Sequence, residues 1–443
     1  GNWSPVSSWN PNYWVELPKR IRTGLIFLNR VRVLPGEGLT EEYVDQMKYE
    51  VRFLIAYYYS LMAQTYGAVP FAPNKLYDTN SSPEELMTEQ TPYDSIVNWI
   101  DKEMLEVSKH LPAVYENNQD WGRATSVMAL AIRAKTLLFA ASPLFNGNTD
   151  YANWKNKSGE NLINPTYSQD KWARAAEAHK DLITTAEAAG YQLYQEYNSD
   201  NSIDPFMSYY NMSLKRFSDG NKEIIFGRPE NKDLKSWQSH RLPKGIGGNA
   251  ALNMTQELVD AFFMSNGEQP ILGYNGDGSP IINTASGYTE RGFSSDNEMR
   301  HTQWPGGGPK SLYNAATGNS PVTLSGTYNM YCNREPRFYV SVIFNNEWMG
   351  VANRKVNNLQ GAGADADKTF DSPWTGYNIR KQVSLDVFPR EGKHNYQPGI
   401  LYRLAEAYLG YAEALNESMS SPDATVYKYV NLIRKRAGIP DLN

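Results

Sequence analysis

One cysteine in 443 residues, Cys332, excludes an intrachain disulfide. It leaves the redox compartment unread, because exported proteins without disulfides are common. Histidine is almost as scarce. His110, His179, His240, His301 and His394 are scattered, with no HExxH and no paired metal-ligand spacing. No G-x-S-x-G elbow occurs. No run of about 18 apolar residues exists, so no membrane-spanning helix is expected. The opening GNWSPVSSWNPNYW has neither a charged n-region nor an apolar h-region. A formal net charge of −5 gives no support for binding nucleic acid or an anionic membrane.

Two glycine-rich stretches resemble nucleotide loops only on the surface. In GGGPKS (306–311) Pro309 replaces the Gly that must precede Lys310, and GIGGNA (245–250) follows RLPK, which is no buried strand. NGDGS (275–279) and DAD (365–367) space oxygen ligands as a calcium site does, but no Glu completes either loop. Plain turns are expected there. No cofactor is expected, and structural calcium has no support beyond this spacing. A glycosidase needs only two carboxylates, which can come from distant positions, but nothing singles out a pair among the 48 Asp and Glu.

What is abundant is aromatic: 30 Tyr, 11 Trp and 15 Phe. Most of these belong to packing, yet the excess suits a protein that offers flat amphipathic rings to a ligand. The stretch from Thr40 to Pro70 organises the rest. Val44, Met47, Val51, Leu54, Ile55, Tyr58, Leu61 and Met62 recur at steps of three and four and draw one helical stripe. Thr40 is the expected N-cap and Gly67 the C′ residue, with Pro70 beyond. This helix is expected to be central to an all-helical core, with Tyr57, Tyr58 and Tyr59 packed in it.

Further helices are predicted over 19–33, from Thr91-Pro92 to Leu111, over 124–142, 168–189, 398–417 and 422–437. Residues 1–17 read as a loop. Helices in antiparallel pairs, rich in Ala and Tyr, are similar to tetratricopeptide repeats, though the strict 34-residue signature is absent. The fold class is therefore mainly α, a tetratricopeptide-like superhelix of helical pairs with an irregular, loop-rich α+β elaboration. Three segments follow: a helical-pair scaffold over 1–190, a loop-rich region with short strands over 191–397, and a returning helical pair over 398–443. Within the middle segment, EIIFG (223–227) and RFYVSVIFN (337–345) have strand composition, and TQELVDAFF (255–263) is a short amphipathic helix. Residues 265–330 hold eleven Gly and five Pro, the composition of long loops.

Five stretches stand out in order: YEVRFLIAYYYSLMAQTYGAVPF (49–71), GRATSVMALAIRAKTLLFAASPLF (122–145), NMTQELVDAFFMSNG (253–267), NREPRFYVSVIFN (333–345), and ILYRLAEAYLGYAEALNE with VNLIRKRAGIP (400–440). Together they resemble the SusD/RagB-type outer-membrane nutrient-binding lipoproteins. The resemblance implies a lipid-anchored protein on the extracellular face of the outer membrane. It also implies capture of an oligosaccharide or polysaccharide and its delivery to a SusC-like TonB-dependent transporter. Family members open with a lipoprotein signal and an acylated Cys and continue past the IRKRAG helix. On that comparison the chain is expected to be a member lacking both ends.

Sugar rings expose C–H patches that rest on Trp and Tyr faces, while amides and charged groups satisfy the hydroxyls. Such residues gather in loops twice: Trp3, Trp9, Asn10, Asn12 and Tyr13 at the start, and Tyr274, Tyr288, Arg291, Trp304 and Tyr313, followed by Trp348 and Trp374, in the Gly-rich region and beyond. Non-catalytic glycan binding is the leading expectation. A peptide-binding relative on the same scaffold, a mainly helical glycoside-cleaving enzyme and a plain protein-interaction scaffold stay open as alternatives.

Overall fold

The computed structural model describes residues 12–229, 234–359, 361, 365 and 371–443. Trp3, Trp9 and Asn10 lie outside the described residues. The chain divides into two units, 1–192 with 402–429 and 193–401 with 430–443.

The first unit is a succession of helices. Helix α1 (Tyr13–Arg30) starts earlier than the expected residue 19, because the Asn12 side chain accepts the Val15 N–H and caps it. Pro18 is then accommodated inside the helix at the loss of one backbone bond. Leu17, Ile21 and Leu25 form its buried stripe. Helix α2 (Glu41–Tyr66) has the predicted ends: Thr40 Oγ1 accepts from Tyr43 N–H at 3.2 Å, and Gly67 takes a φ of 71°. Leu54, assigned to the stripe, faces outward, and Phe53 occupies the core instead. Tyr59 is buried, while Tyr57 and Tyr58 are half-buried. A single turn, α3 (Pro83–Leu86), carries a capping box between Ser82 and Glu85.

Helix α4 (Tyr93–Ser108) buries Ile96, Val97, Ile100 and Met104 as predicted. Thr91 does not cap it. Pro92 stands at the cap, and the Tyr93 N–H is satisfied across the fold by the Leu162 carbonyl at 2.8 Å. Helix α5 (Ser126–Ala141) buries 13 of its 16 residues, against 8 of 26 in α2. The central helix is thus α5, not α2. A helix apolar on every side has to be enclosed, and its alanines permit that approach. Arg133, the one cation in this buried set, is held by Asp101 at 2.6 Å and Asp181 at 2.9 Å. Helix α6 (Gln169–Ala188) follows. Along the chain, α1 packs on α2, α2 on α4, α4 on α5 and α5 on α6.

The second unit is built from short pieces. It holds α7 (Pro205–Met212), β1 (Ile224–Arg228), α8 (Leu234–Arg241) and α9 (Gln256–Asp260), then hairpin strands β2 (Ile271–Tyr274) and β3 (Pro280–Ile282). Strands β4 (Glu298–His301) and β5 (Asn319–Thr323) pair antiparallel, with Met299 opposite Pro321 and His301 opposite Asn319. Residues 337–345, expected as one strand, instead form a helical turn, α10 (Pro336–Ser341), and a two-residue strand, β6 (Val342–Ile343). Every side chain from Phe338 to Phe344 is buried, so no polar face was there to set a period, and Pro336 favours a helix start. Short strands β7 (Trp348–Met349), β8 (Arg354–Lys355) and β9 (Asn378–Ile379) complete the loops. Phe206, Trp304, Val322, Phe338, Tyr339, Val342, Phe344 and Tyr377 share one core.

The chain then returns. The predicted helix over 398–417 begins with a strand, β10 (Gly399–Arg403), before α11 (Leu404–Ser418), which packs on α6. Helix α12 (Ala424–Arg436) is capped by the Asp423 carboxylate, which accepts from Thr425 and Val426 N–H, rather than by Ser421. The boundary between the two units falls inside this helix.

Candidate functional site

A cavity of about 310 Å³ lies in the connection between β4 and β5. Gln303, Trp304, Pro305, Gly308, Lys310 and Tyr313 line it from the connection, and Ser320 and Pro321 from β5. The start of the connection is anchored by one carboxylate. Asp204, 1% exposed, precedes Pro205 and caps α7, accepting from the N–H groups of Phe206 and Met207 at 3.1 Å. The same carboxylate accepts from Thr302 Oγ1 at 2.7 and 2.9 Å and from Gln303 N–H at 2.8 Å. Ser320 Oγ donates to the Thr302 carbonyl at 2.8 Å, tying the connection to β5.

Trp304 forms the floor. It is 0% exposed, stacked near Phe206 with ring centroids 5.7 Å apart, and its indole N–H has no hydrogen-bond partner in the structure. The Arg380 guanidinium sits 4.9 Å from the Trp304 ring centroid and donates to the Gly306 carbonyl at 3.2 Å. Arg380 pairs with Glu347, both wholly buried. Burial raises the Glu347 carboxyl to about 7, with the Arg380 charge opposing that rise. The three glycines owe their identity to close approach. A Cβ at Gly306 would stand 2.2 Å from Trp304 Cζ2, and one at Gly307 2.2 Å from the Pro321 carbonyl oxygen.

Other residues of the lining are more exposed. Tyr313 is 44% exposed, and the side chains of Gln303 and Lys310 are open to solvent. A ring, an amide, an ammonium and a hydroxyl therefore converge on one hollow of ligand size. None of the lining side chains is a carboxylate.

Of the residues singled out by sequence, the structure brings Trp304 and Tyr313 together here. The other described ones lie apart from this lining. Asn12 caps α1. Tyr274, at the end of β2, donates to Asp260 at 2.7 Å, which pushes its phenol up to about 12. Tyr288 is buried beside Met264 and Met330, with the Arg334 guanidinium 5.5 Å from its ring. Arg291 is exposed, and its carbonyl accepts from the Asn329 amide. Trp348 is half-buried in β7, and Trp374 is 84% exposed. The oxygen ligands considered for calcium are engaged in turns and ion pairs. Asp277 accepts from Ser279 N–H and Oγ, and Asp365 holds Arg354 at 2.7 and 2.8 Å. Asp367 lies outside the described residues.

Sequence reasoning passed over Asp204, Gln303, Lys310 and Ser320. The Asp204-Pro205 pair is a legible helix start, but its second task, holding residues 302 and 303, spans a hundred residues and leaves no local signal. A larger cavity of about 570 Å³ in the first unit is lined by apolar residues such as Trp14, Ile21, Leu25, Met62 and Leu86 and also by Tyr59, Tyr77, Asp78, Thr79 and Thr88. There Arg22 is spent on the Tyr77 carbonyl at 2.7 Å and Lys75 lies over the Tyr77 ring, so it offers a hydroxyl-rich ligand less.

Comparison with known proteins agrees with this architecture. A family model described as "Starch-binding associating with outer membrane" matches residues 2–138, and one described as "SusD family" matches residues 215–443. A solved structure named BT4246 is 25% identical with a TM-score of 0.74, covering 97% of this chain and 72% of its own. A SusD-like protein from Bacteroides fragilis is 21% identical with a TM-score of 0.66, covering 99% and 70%. A second from that organism, described as a SusD-like carbohydrate binding protein, is 19% identical with a TM-score of 0.63, covering 100% and 68%. These likenesses show the fold. No curated protein matches the chain. With a helical-pair unit, a loop-rich unit and a family match across more than half its length, the chain belongs to the SusD family.

Proposed function

We propose that this protein binds an oligosaccharide or polysaccharide without cleaving it, in the cavity between Gln303 and Pro321, and passes it to a partner TonB-dependent transporter. The observation that carries the reading is the convergence of the half-exposed Tyr313 ring with Gln303, Lys310 and Ser320 in one hollow. A sugar laid on Tyr313 buries its C–H face on the ring, while the amide, ammonium and hydroxyl replace water at its hydroxyls. A cleaving enzyme of the usual kind needs an acid pair flanking the bond. A ligand in this lining meets no carboxylate from it. Family membership supports the same reading, as do the description of the model over residues 2–138 and the name of the carbohydrate-binding structure from Bacteroides fragilis.

Lipid anchoring on the extracellular face of the outer membrane and a SusC-like partner are the finer parts of the proposal and rest on the family. No described helix is long and apolar enough to cross a membrane. Calorimetry of wild type and Tyr313→Ala against soluble glycans tests the binding, with mixed oligopeptides as competitors. Wild type should bind a glycan that peptides fail to displace, and Tyr313→Ala should lose it. Co-purification of a transporter from outer membranes tests the partner.

A further inference from the structure

We propose that the ligand of this cavity is an acidic saccharide, one bearing carboxylate or sulfate groups, with Lys310 as the residue that selects it. The inference rests on the glycan reading above and narrows it. Lys310 is exposed and lines the cavity, and its ammonium has no hydrogen bond or ion pair among the described residues. Among the described residues it is the only charged side chain of the lining.

The contrast with another polar cavity in the same protein shows what this means. The hollow of about 360 Å³ between α4, α5 and α6 also contains cations, Lys171 and Arg174. There each meets a carboxylate: Lys171 meets Asp94 at 2.7 Å, and Arg174 meets Asp101, which it shares with Arg133, at 2.9 Å. That site is internally neutral and needs no anion. The Lys310 cavity lacks such a counter-charge.

The remaining groups agree. Ser320 spends its proton on the Thr302 carbonyl, whereas Gln303 and Tyr313 have donors to give. The chain as a whole is negative, at −5, so a general field does not draw anions to it. The attraction is local, and added salt should weaken it.

The test is a glycan array with neutral, uronic-acid, sialylated and sulfated arms, probed with the intact protein and with Lys310→Gln. Unchanged melting of the variant serves as the folding control. Hits should fall in the acidic arms, and the carboxylate and sulfate sets will show which anion is taken. Lys310→Gln should weaken them about tenfold or more, the loss expected for one charge-assisted hydrogen bond. Raising salt should weaken wild type toward the variant. Neutral hits that Lys310→Gln leaves unchanged would overturn this inference while leaving glycan binding intact. Silence in every arm from a folded protein would remove the glycan reading and this inference with it.

Discussion

Replacing Asp204 by alanine isolates the feature that shapes the cavity. Four donors converge on this buried carboxylate: the N–H groups of Phe206, Met207 and Gln303, and the Thr302 hydroxyl. Losing the helix cap costs about 1 kcal/mol. Leaving Thr302 Oγ1 and the Gln303 N–H without an acceptor costs roughly 1–3 kcal/mol each. Removal of a buried charge offsets part of this, so the net loss should be about 3 kcal/mol. Asn at this position keeps one acceptor oxygen and should cost about 1 kcal/mol. Urea unfolding followed by tryptophan fluorescence reads the change, since Trp304 directly follows the anchored residues Thr302 and Gln303. Glycan affinity of the folded variant should fall as well, because Gln303 is no longer held. A loss below about 1 kcal/mol for Asp204→Ala, with unchanged ligand affinity, would refute the claim that this carboxylate holds the connection in place.

Three further outcomes are expected. Gly306→Ala should cost about 1–3 kcal/mol and loosen the floor, because its Cβ would collide with Trp304; a neutral result in thermal melts would contradict the packing. Burial of His179 in α6 lowers its imidazole to about 4, so the unfolded chain takes up a proton between pH 6.5 and 4 that the folded chain refuses. Stability from this group is therefore complete above pH 6.5 and falls by about 3 kcal/mol as pH drops to 4; an imidazole titrating near 6.5 by NMR would contradict it. Trp374→Ala should change stability by no more than about 0.5 kcal/mol, since the ring is 84% exposed, and a large loss in unfolding experiments would show that it packs against something.

The helical unit was legible because its signals are local. Thr40 and Gly67 mark ends that the structure keeps, and the i, i+3, i+4 stripe of α4 is the buried one. Where pattern reading failed, tertiary structure supplied what a local rule cannot see: the Leu162 carbonyl that meets Tyr93, or the all-round burial that blurred α10. The cavity was half legible. Tyr313 and Trp304 stood out as loop aromatics, but burial separates their roles, floor against exposed wall. Lys310 was noticed only as part of a false phosphate loop, in which Pro309 is the misfit. Its significance depends on the carboxylates that are missing around it, which is a fact of three-dimensional neighbourhood.

The account is tested most directly by calorimetric titration of the intact protein with the best-binding glycan, run side by side with Tyr313→Ala. The expected result is saturable binding in wild type and at least about tenfold weaker binding in the variant, the loss of one ring contact in a sugar site. Equal affinity in the two proteins would place the ligand elsewhere and contradict the assignment of this cavity.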